Sequence, residues 1–506
     1  MRTGLSRVDP EAMAQLVWAA WGVQQDPPND IAQRLVEFPR EAITADLTNG
    51  HAIYPWELET LINLLVQVER DPRLAAILCD RYAVIADFLN LLRNLENTEA
   101  GGYINDDNIF NELHRIGQRQ FPFQRGFLNS ADFYRFIFLY GQPICAAAFE
   151  RIHGLSLGDF TKAGFALFAQ FSRQPTLSAL PDFSSIGVSP EVMRRAISLM
   201  SVDAKEGGVT FQDLLTRLDA HDQPTAYRPS LLRQRPILRF QDVETRLRAP
   251  LPSLIALRIS AGLYYDLLPG GRPIRDEIAR QFERYCAKFL AAEMPELQVE
   301  PEYRYRRTGR GDQVDSPDLL ATEDGRLALV VECKATKLTF GAQFSGDPVL
   351  AARDKYEELA KGVFQLWRFF SHCRRGLTRH TAEPDTFAIL LTVDAWMTMS
   401  RQLQEHVLTL ARAQAADDGG ILEEDQRPVI FAAIQDFERL LLKTGLNGLK
   451  QTLAQASEER FLGWLLPDIG RDHLETDDNA RAYPFDLGEV LPWWSELKAQ
   501  RDARNA

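Results

Sequence analysis

The stretch that most restricts how this chain can fold runs from Asp315 to Phe340, DSPDLLATEDGRLALVVECKATKLTF. Two apolar runs flank an Asp-Gly, which reads as a strand, a tight turn and a second strand. A strand that buries Val330 and Val331 has no packing reason to end on Glu332 and Lys334. Side chains alternate faces with a period of two, so these two charges share one face. Cys333 points to the other face with Leu329, Val331 and Ala335, against a helix. A three-residue loop, Asp324-Gly325-Arg326, pairs Glu323 with Leu327 and puts Asp318 directly opposite Glu332. Directly opposed residues share a face, with Cβ atoms about 4.5–5.5 Å apart. A two-residue Asp-Gly turn instead sets Asp318 against Val331, on the wrong face. The three-residue loop is therefore the expected one.

Two carboxylates held that close repel each other, and like charges opposed across a ladder destabilise it. A divalent cation removes the cost. Hard oxygen ligands suit Mg²⁺ or Mn²⁺, with water and a substrate phosphate completing the shell. Such an ion lowers the pKa of a bound water and offsets charge on a phosphoryl oxygen. Lys334, on the same face, is placed to orient an attacking water or to stabilise the pentavalent phosphorus centre. The chemistry these residues suit is phosphodiester hydrolysis.

The rest of the chain divides into three stretches. Residues 1–205 read as helix after helix, with apolar spacings of three and four in WELETLINLLVQVERD and RYAVIADFLNLLRNLE. Ser189 followed by Pro190 has the form of an N-cap and first helical residue. Residues 206–272 form a proline-punctuated helical bridge or a small DNA-contacting module, and the sequence does not separate the two. Residues 273–506 hold a mixed pattern, with a core over about 273–395 and a C-terminal extension. A helix carries Ile274, Ile278, Phe282, Tyr285 and Phe289 on one stripe. Strands follow around LQVEPEYRY, SPDLLATE and RLALVVECKAT, then a helix from about Leu350 to Cys373, then strands in DTFAILLTVDAW and RPVIFAAIQ. The order is α/β with a mixed sheet.

Other chemistries find no support. The five cysteines form no C-x-x-C pair and the eight histidines are scattered, which argues against a zinc module. There is no P-loop, no dinucleotide fingerprint and no G-x-S-x-G elbow. No apolar run reaches the roughly 18 residues of a membrane span, and MRTGLSRVDPEAMAQ lacks a signal-peptide core, so a cytoplasmic protein is expected. The net charge of −13 argues against coating nucleic acid by bulk electrostatics. Local grips remain: Arg304, Arg306, Arg307 and Arg310 form one basic cluster, and Arg374, Arg375 and Arg379 a second. Each equally suits a solvated surface. Trp493 and Trp494 in the tail read most simply as an anchor packed on the fold.

Pro317-Asp318, thirteen intervening residues, and Glu332-Cys333-Lys334 resemble the PD-(D/E)xK nuclease superfamily over about residues 270–395, a quarter of the chain. The resemblance implies an α+β multidomain protein, with an all-α N-terminal region ahead of a restriction-endonuclease-like α/β domain. It implies that Asp318, Glu332 and the backbone carbonyl of Cys333 hold Mg²⁺ or Mn²⁺, and that Lys334 assists the nucleophile. It adds Glu283 from the preceding helix, with Glu277 the weaker alternative. It also adds Gln365 from the following helix, in a RecB-like FQLWRF context where Phe369 replaces the usual tyrosine. Gln365 shares a polar helix face with Lys361 and Arg368, a stripe that suits a phosphate backbone or solvent. The implied activity is a DNA nuclease of restriction or anti-phage defence, its helical region serving substrate or protein-partner selection. The alternatives are a nuclease-like scaffold that no longer cuts and a nuclease of RNA.

Overall fold

The Asp-Gly turn and its two strands lie inside a five-stranded mixed sheet in the computed structural model of the chain. The described residues are all except 103, 105–108, 127–128, 242–245, 309–311, 396–399, 475–479 and 506; the side chains of 110, 125, 308, 340, 473 and 500–505 are likewise not described. The chain forms two units. The first contains residues 1–104, 119–274 and 486–506, and the second residues 105–118 and 275–485. Among the described residues no helix is long and apolar enough to cross a membrane.

The first unit is mainly helical. Its largest helices include Pro10–Val23, Pro55–Leu65, Tyr82–Gly101 and Leu157–Arg173. The apolar stripes of the first three meet in a core containing Trp18, Leu58, Leu61, Phe88 and Leu92. Ser189 caps Pro190–Met200 by accepting the Val192 amide at 3.3 Å, with Pro190 in the first turn where its missing N–H costs nothing. The expectation of an all-α N-terminal region is corrected by a small sheet. β1 (Ser201–Asp203) runs parallel to β2 (Ile237–Arg239), which is antiparallel to β3 (Leu247–Arg248). Strands this short carry too few residues for a period of two to register in the sequence. No unit boundary falls near residue 205: the 206–272 stretch belongs to the same unit as the helices before it. The tail returns here as well, where Trp493 is buried and donates to Thr161 Oγ1 at 3.3 Å, an anchor as expected.

The second unit begins its main run with a leading helix, Arg272–Glu293. Ile278, Phe282, Tyr285 and Phe289 on its stripe are buried, each such side chain contributing about 1.5–3 kcal/mol. The strands are β4 (Gln298–Pro301), β5 (Arg304–Thr308), β6 (Asp312–Asp315), β7 (Leu319–Glu323), β8 (Arg326–Lys334), β9 (Phe387–Thr392) and β10 (Val429–Ala433). The main sheet has the order β10-β9-β8-β7-β4, parallel from β10 to β8 and antiparallel from β8 to β4. The single strand expected around LQVEPEYRY is two. Pro301, with no N–H for a ladder, ends β4, and β5 leaves the main sheet to form a separate hairpin with β6. A cover helix, Arg353–Arg374, packs on the sheet face that carries Leu320, Val330, Leu390 and Phe431.

The turn corrects the expected loop. Asp324 and Gly325 both have positive φ, 49° and 79°, and Glu323 pairs with Arg326. This is the two-residue type I′ form, whose twist matches that of the strands. A register shift then intervenes: Thr322 pairs with Leu327, but Ala321 pairs with Leu329, so Ala328 is a bulged residue. The bulge restores the register that the shorter turn removes. Leu319 pairs with Val331 as the last pair of the ladder, and this register continued one residue beyond the strand sets Asp318 opposite Glu332. The opposition expected from sequence is present, through a different device.

Candidate functional site

The site lies at the C-terminal end of β8. Asp318, just ahead of β7, accepts the Cys333 amide N–H on Oδ2 at 2.7 Å, and its own carbonyl accepts the Glu302 amide at 2.9 Å. Glu332 is 1% exposed. Its Oε1 accepts from Lys334 Nζ at 2.7 Å, while Oε2 is buried with no hydrogen-bond partner. A carboxylate oxygen left so costs about 1–3 kcal/mol or more. Glu332 and Lys334 face the cover helix; on the other face the Cys333 thiol meets Cys286 of the leading helix, and both are inert packing groups by burial.

Charge surrounds this pair. Burial first, then the charges of Glu332 and Glu283, push Asp318 well above the ordinary carboxylate range, with Lys334 and the Cys333 N–H opposing. Burial, Glu302 and Glu332 push Glu283 up to about 7, against Lys334 and Arg280. Glu302 is raised by burial, Asp315 and Glu332. Burial alone pulls Lys334 down, but Glu332 and Asp318 outweigh it, and its net shift is upward. Glu332, Asp318 and Glu283 thus converge on one ammonium, which stays protonated, and Glu302 adds negative charge beside Glu332 and Glu283.

This arrangement sets a pH dependence. A carboxyl whose folded pKa is raised holds a proton that the unfolded chain has already released, so stability falls as pH rises across that window. For Glu283 the window runs from 4.5 to about 7. Denaturation midpoints in EDTA are expected to drop across it, and Glu283→Gln to reduce the slope without erasing it, since Asp318 contributes in the same sense. A flat or rising wild-type profile would contradict this.

Gly362 of the cover helix lies over the pair. A Cβ built there would stand 2.7 Å from Leu390 Cδ1, 3.0 Å from Lys334 Cε and 3.3 Å from Glu332 Cγ. Only glycine lets the helix sit this close. Four residues earlier, Glu358 accepts Thr336 Oγ1–H at 2.7 Å and adds to the field on Lys334. Gln365, three residues after Gly362, continues that stripe. It is half-buried and hydrogen-bonds none of the described residues.

The expected basic groups are placed differently. Arg304 pairs with Asp315 at 2.8 Å and Arg307 with Asp312 at 3.1 Å, so the facing strand β6 neutralises both. Arg306 is exposed, and Arg310 lies outside the described residues. Lys361 is exposed. Arg368 is half-buried, its guanidinium 5.6 Å from the Phe364 ring centre and its Nε without an acceptor. Arg307 and Phe364 line an open groove of about 640 Å³ with Arg375, Gln414 and Asp418. Phe364 stands two residues from Gly362, about 200° around the helix, so this groove is not on the site-facing side. Lys337 is buried and pairs with Asp394 at 3.2 Å.

No protein-family model, curated protein or solved structure matches this chain. The site is therefore weighed on its own chemistry. Among the described residues no three His, Cys, Asp or Glu side chains form a ready-made metal cage. Mg²⁺ does not need one, because it keeps several waters and binds through one or two carboxylates plus substrate phosphate. The orphaned Glu332 Oε2 and the surplus of negative charge around it fit such an ion. Sequence reasoning missed Glu302, Glu358 and Gly362. Only Gly362 left a signal, an isolated glycine inside a strong helical pattern.

Proposed function

We propose that this chain is a metal-dependent nuclease of the PD-(D/E)xK type, hydrolysing phosphodiester bonds of DNA. The observation that carries the reading is Glu332: a buried carboxylate with one oxygen on Lys334, the other unpartnered, and Asp318 opposite in register. The helix, antiparallel β4-β7-β8, cover helix and parallel β9 support a restriction-endonuclease-like core. Asp318, Glu332 and the Cys333 carbonyl would hold Mg²⁺ or Mn²⁺. When bound, the ion supplies a water of lowered pKa and compensation for phosphoryl charge.

The remaining roles belong to the chain. Lys334 keeps its proton, so it acts as a fixed cation and donor toward the attacking water or a phosphoryl oxygen rather than as a base. Glu283, raised to about 7, gains and loses a proton near neutrality and suits the acceptor of the water proton. Gln365 is in line to orient substrate from the helix above. The scaffold reading draws on the net charge of −13 and on the pairing of Arg304 and Arg307 with Asp315 and Asp312.

Thermal unfolding with Mn²⁺ separates these readings. The nuclease reading expects a rise in melting temperature that EDTA reverses and Glu332→Gln removes. No rise at millimolar ion favours the scaffold.

A further inference from the structure

The first unit carries a group of arginines that the proposed chemistry does not use. They gather around Gln234 and Arg235, where the short helix Leu231–Gln234 hands over to β2. Arg258 donates Nε to the Gln234 carbonyl at 3.1 Å, and Arg217 donates Nη2 to Gln234 Oε1 at 3.3 Å. Arg235 donates Nη1 to the Ser201 carbonyl at 3.0 Å. Arg239 ends β2, and its Nε is buried without an acceptor.

Among the described residues, carboxylates are scarce here. Asp266 takes Arg258 at 2.5 and 2.9 Å and also meets His153 at 3.0 Å. Asp203, the register partner of Arg239, accepts the Lys205 amide on Oδ1 at 2.9 Å. Among the described residues, Arg217 and Arg235 hydrogen-bond to amide and carbonyl oxygens rather than to carboxylates, and Arg239 Nε has no acceptor. Arg235 is exposed, and partial desolvation, then the charges of Arg239, Arg258 and Arg217, pull it below its ordinary value. A guanidinium does not escape by losing its proton. Helix dipoles explain little of it. Arg217 ends an 11-residue helix, but the helices ending at Gln234 and Arg258 have only four and six residues.

We propose that Arg217, Arg235 and Arg239 form a phosphate-binding site, with Arg258 held beside them by Asp266. Three planar forks that pair with no carboxylate among the described residues match an oxyanion that offers several acceptor oxygens and more than one negative charge. Such an anion supplies the acceptor Arg239 Nε lacks and removes the repulsion. The 206–272 stretch, ambiguous in sequence between a bridge and a DNA-contacting module, thereby gains a binding role. The proposal stands apart from the nuclease reading, because the cluster lies in the other unit and binding alone tests it.

The test uses the full chain in EDTA, so that no cleavage intervenes. One arm follows the melting temperature with inorganic phosphate against chloride of equal ionic strength. The other follows anisotropy of a fluorescent single-stranded oligonucleotide across about 50–200 mM salt. The wild type is expected to gain melting temperature with phosphate, and the double variant Arg217→Gln, Arg239→Gln to lose that gain. Without anion the variant should melt no lower than wild type, since like charges have been removed; the exposed single change Arg217→Gln guards against misfolding. If the ligand is a nucleic-acid backbone, oligonucleotide affinity falls about tenfold or more and the salt slope falls by about 1 per arginine. A phosphate response with unchanged oligonucleotide affinity assigns the site to a small phosphate compound. No phosphate response in wild type, together with oligonucleotide binding untouched by the variants, would overturn the proposal.

Discussion

Lys334→Met is expected to lower metal-dependent cleavage by about 10²–10³-fold or more and to destabilise the metal-free protein by about 3–5 kcal/mol at neutral pH. The two effects share one cause. Lys334 is the cation against which Glu332, Asp318 and Glu283 are buried, and among the described residues it gives Glu332 Oε1 its only hydrogen bond. Removing one partner of a buried pair leaves the other uncompensated, which costs more than the pair itself contributes. The loss should shrink toward pH 5, as Glu283 and Asp318 take up protons and the cluster loses charge. Glu332→Gln separates catalysis from stability. It should lose activity comparably, yet unfold in EDTA within about 1 kcal/mol of wild type, because a carboxamide keeps an acceptor for Lys334 and removes one repelling charge. Urea denaturation of the three proteins at two pH values measures this. A Lys334→Met protein as stable as wild type at pH 7 would show that the cluster is not held as described.

Gly362→Ala should act against the usual rule. In an ordinary helix interior this change stabilises by about 1 kcal/mol. Here the added methyl meets Leu390, Lys334 and Glu332 at contacts of 2.7, 3.0 and 3.3 Å, so the helix must lift or the pair must shift. Overpacking of this kind costs about 1–3 kcal/mol. A displacement of even a fraction of an ångström at Lys334 and Glu332 is expected to slow cleavage about tenfold or more. Melting temperature and turnover of this variant measure both effects, with Gly419→Ala, which meets open space, as the control. Unchanged activity in Gly362→Ala would place the working groups elsewhere.

The parts legible in the sequence were those governed by periodicity. The stripe of the leading helix, the apolar runs of β8, β9 and β10, and the cover helix all follow from spacing; the opposition of Asp318 and Glu332 was reached through a three-residue loop that the chain does not use. What escaped depends on geometry that one residue sets without a pattern. Ala328 bulges with no proline or glycine to mark it, and it alone reconciles a type I′ turn with that opposition. Pro301 divides an apparently continuous strand. Asp312 and Asp315 neutralise Arg307 and Arg304 only because a hairpin not foreseen brings them face to face. Glu302 and Glu358 reach the site from separate elements, so no local motif contains them. The first unit's small sheet, made of strands of two and three residues, lies below what periodicity can resolve.

The central claim is that Asp318, Glu332 and Lys334 form a metal-dependent phosphodiesterase site, and cleavage tests it most directly. Linear, nicked, circular and single-stranded DNA, and RNA, would be incubated with wild type and Lys334→Ala in EDTA, Mg²⁺ or Mn²⁺. The account predicts DNA cutting by wild type only with a divalent ion, lost in Lys334→Ala. Cutting that persists in EDTA or in the variant, or no cutting of any substrate by a wild-type protein that binds Mn²⁺, would contradict it.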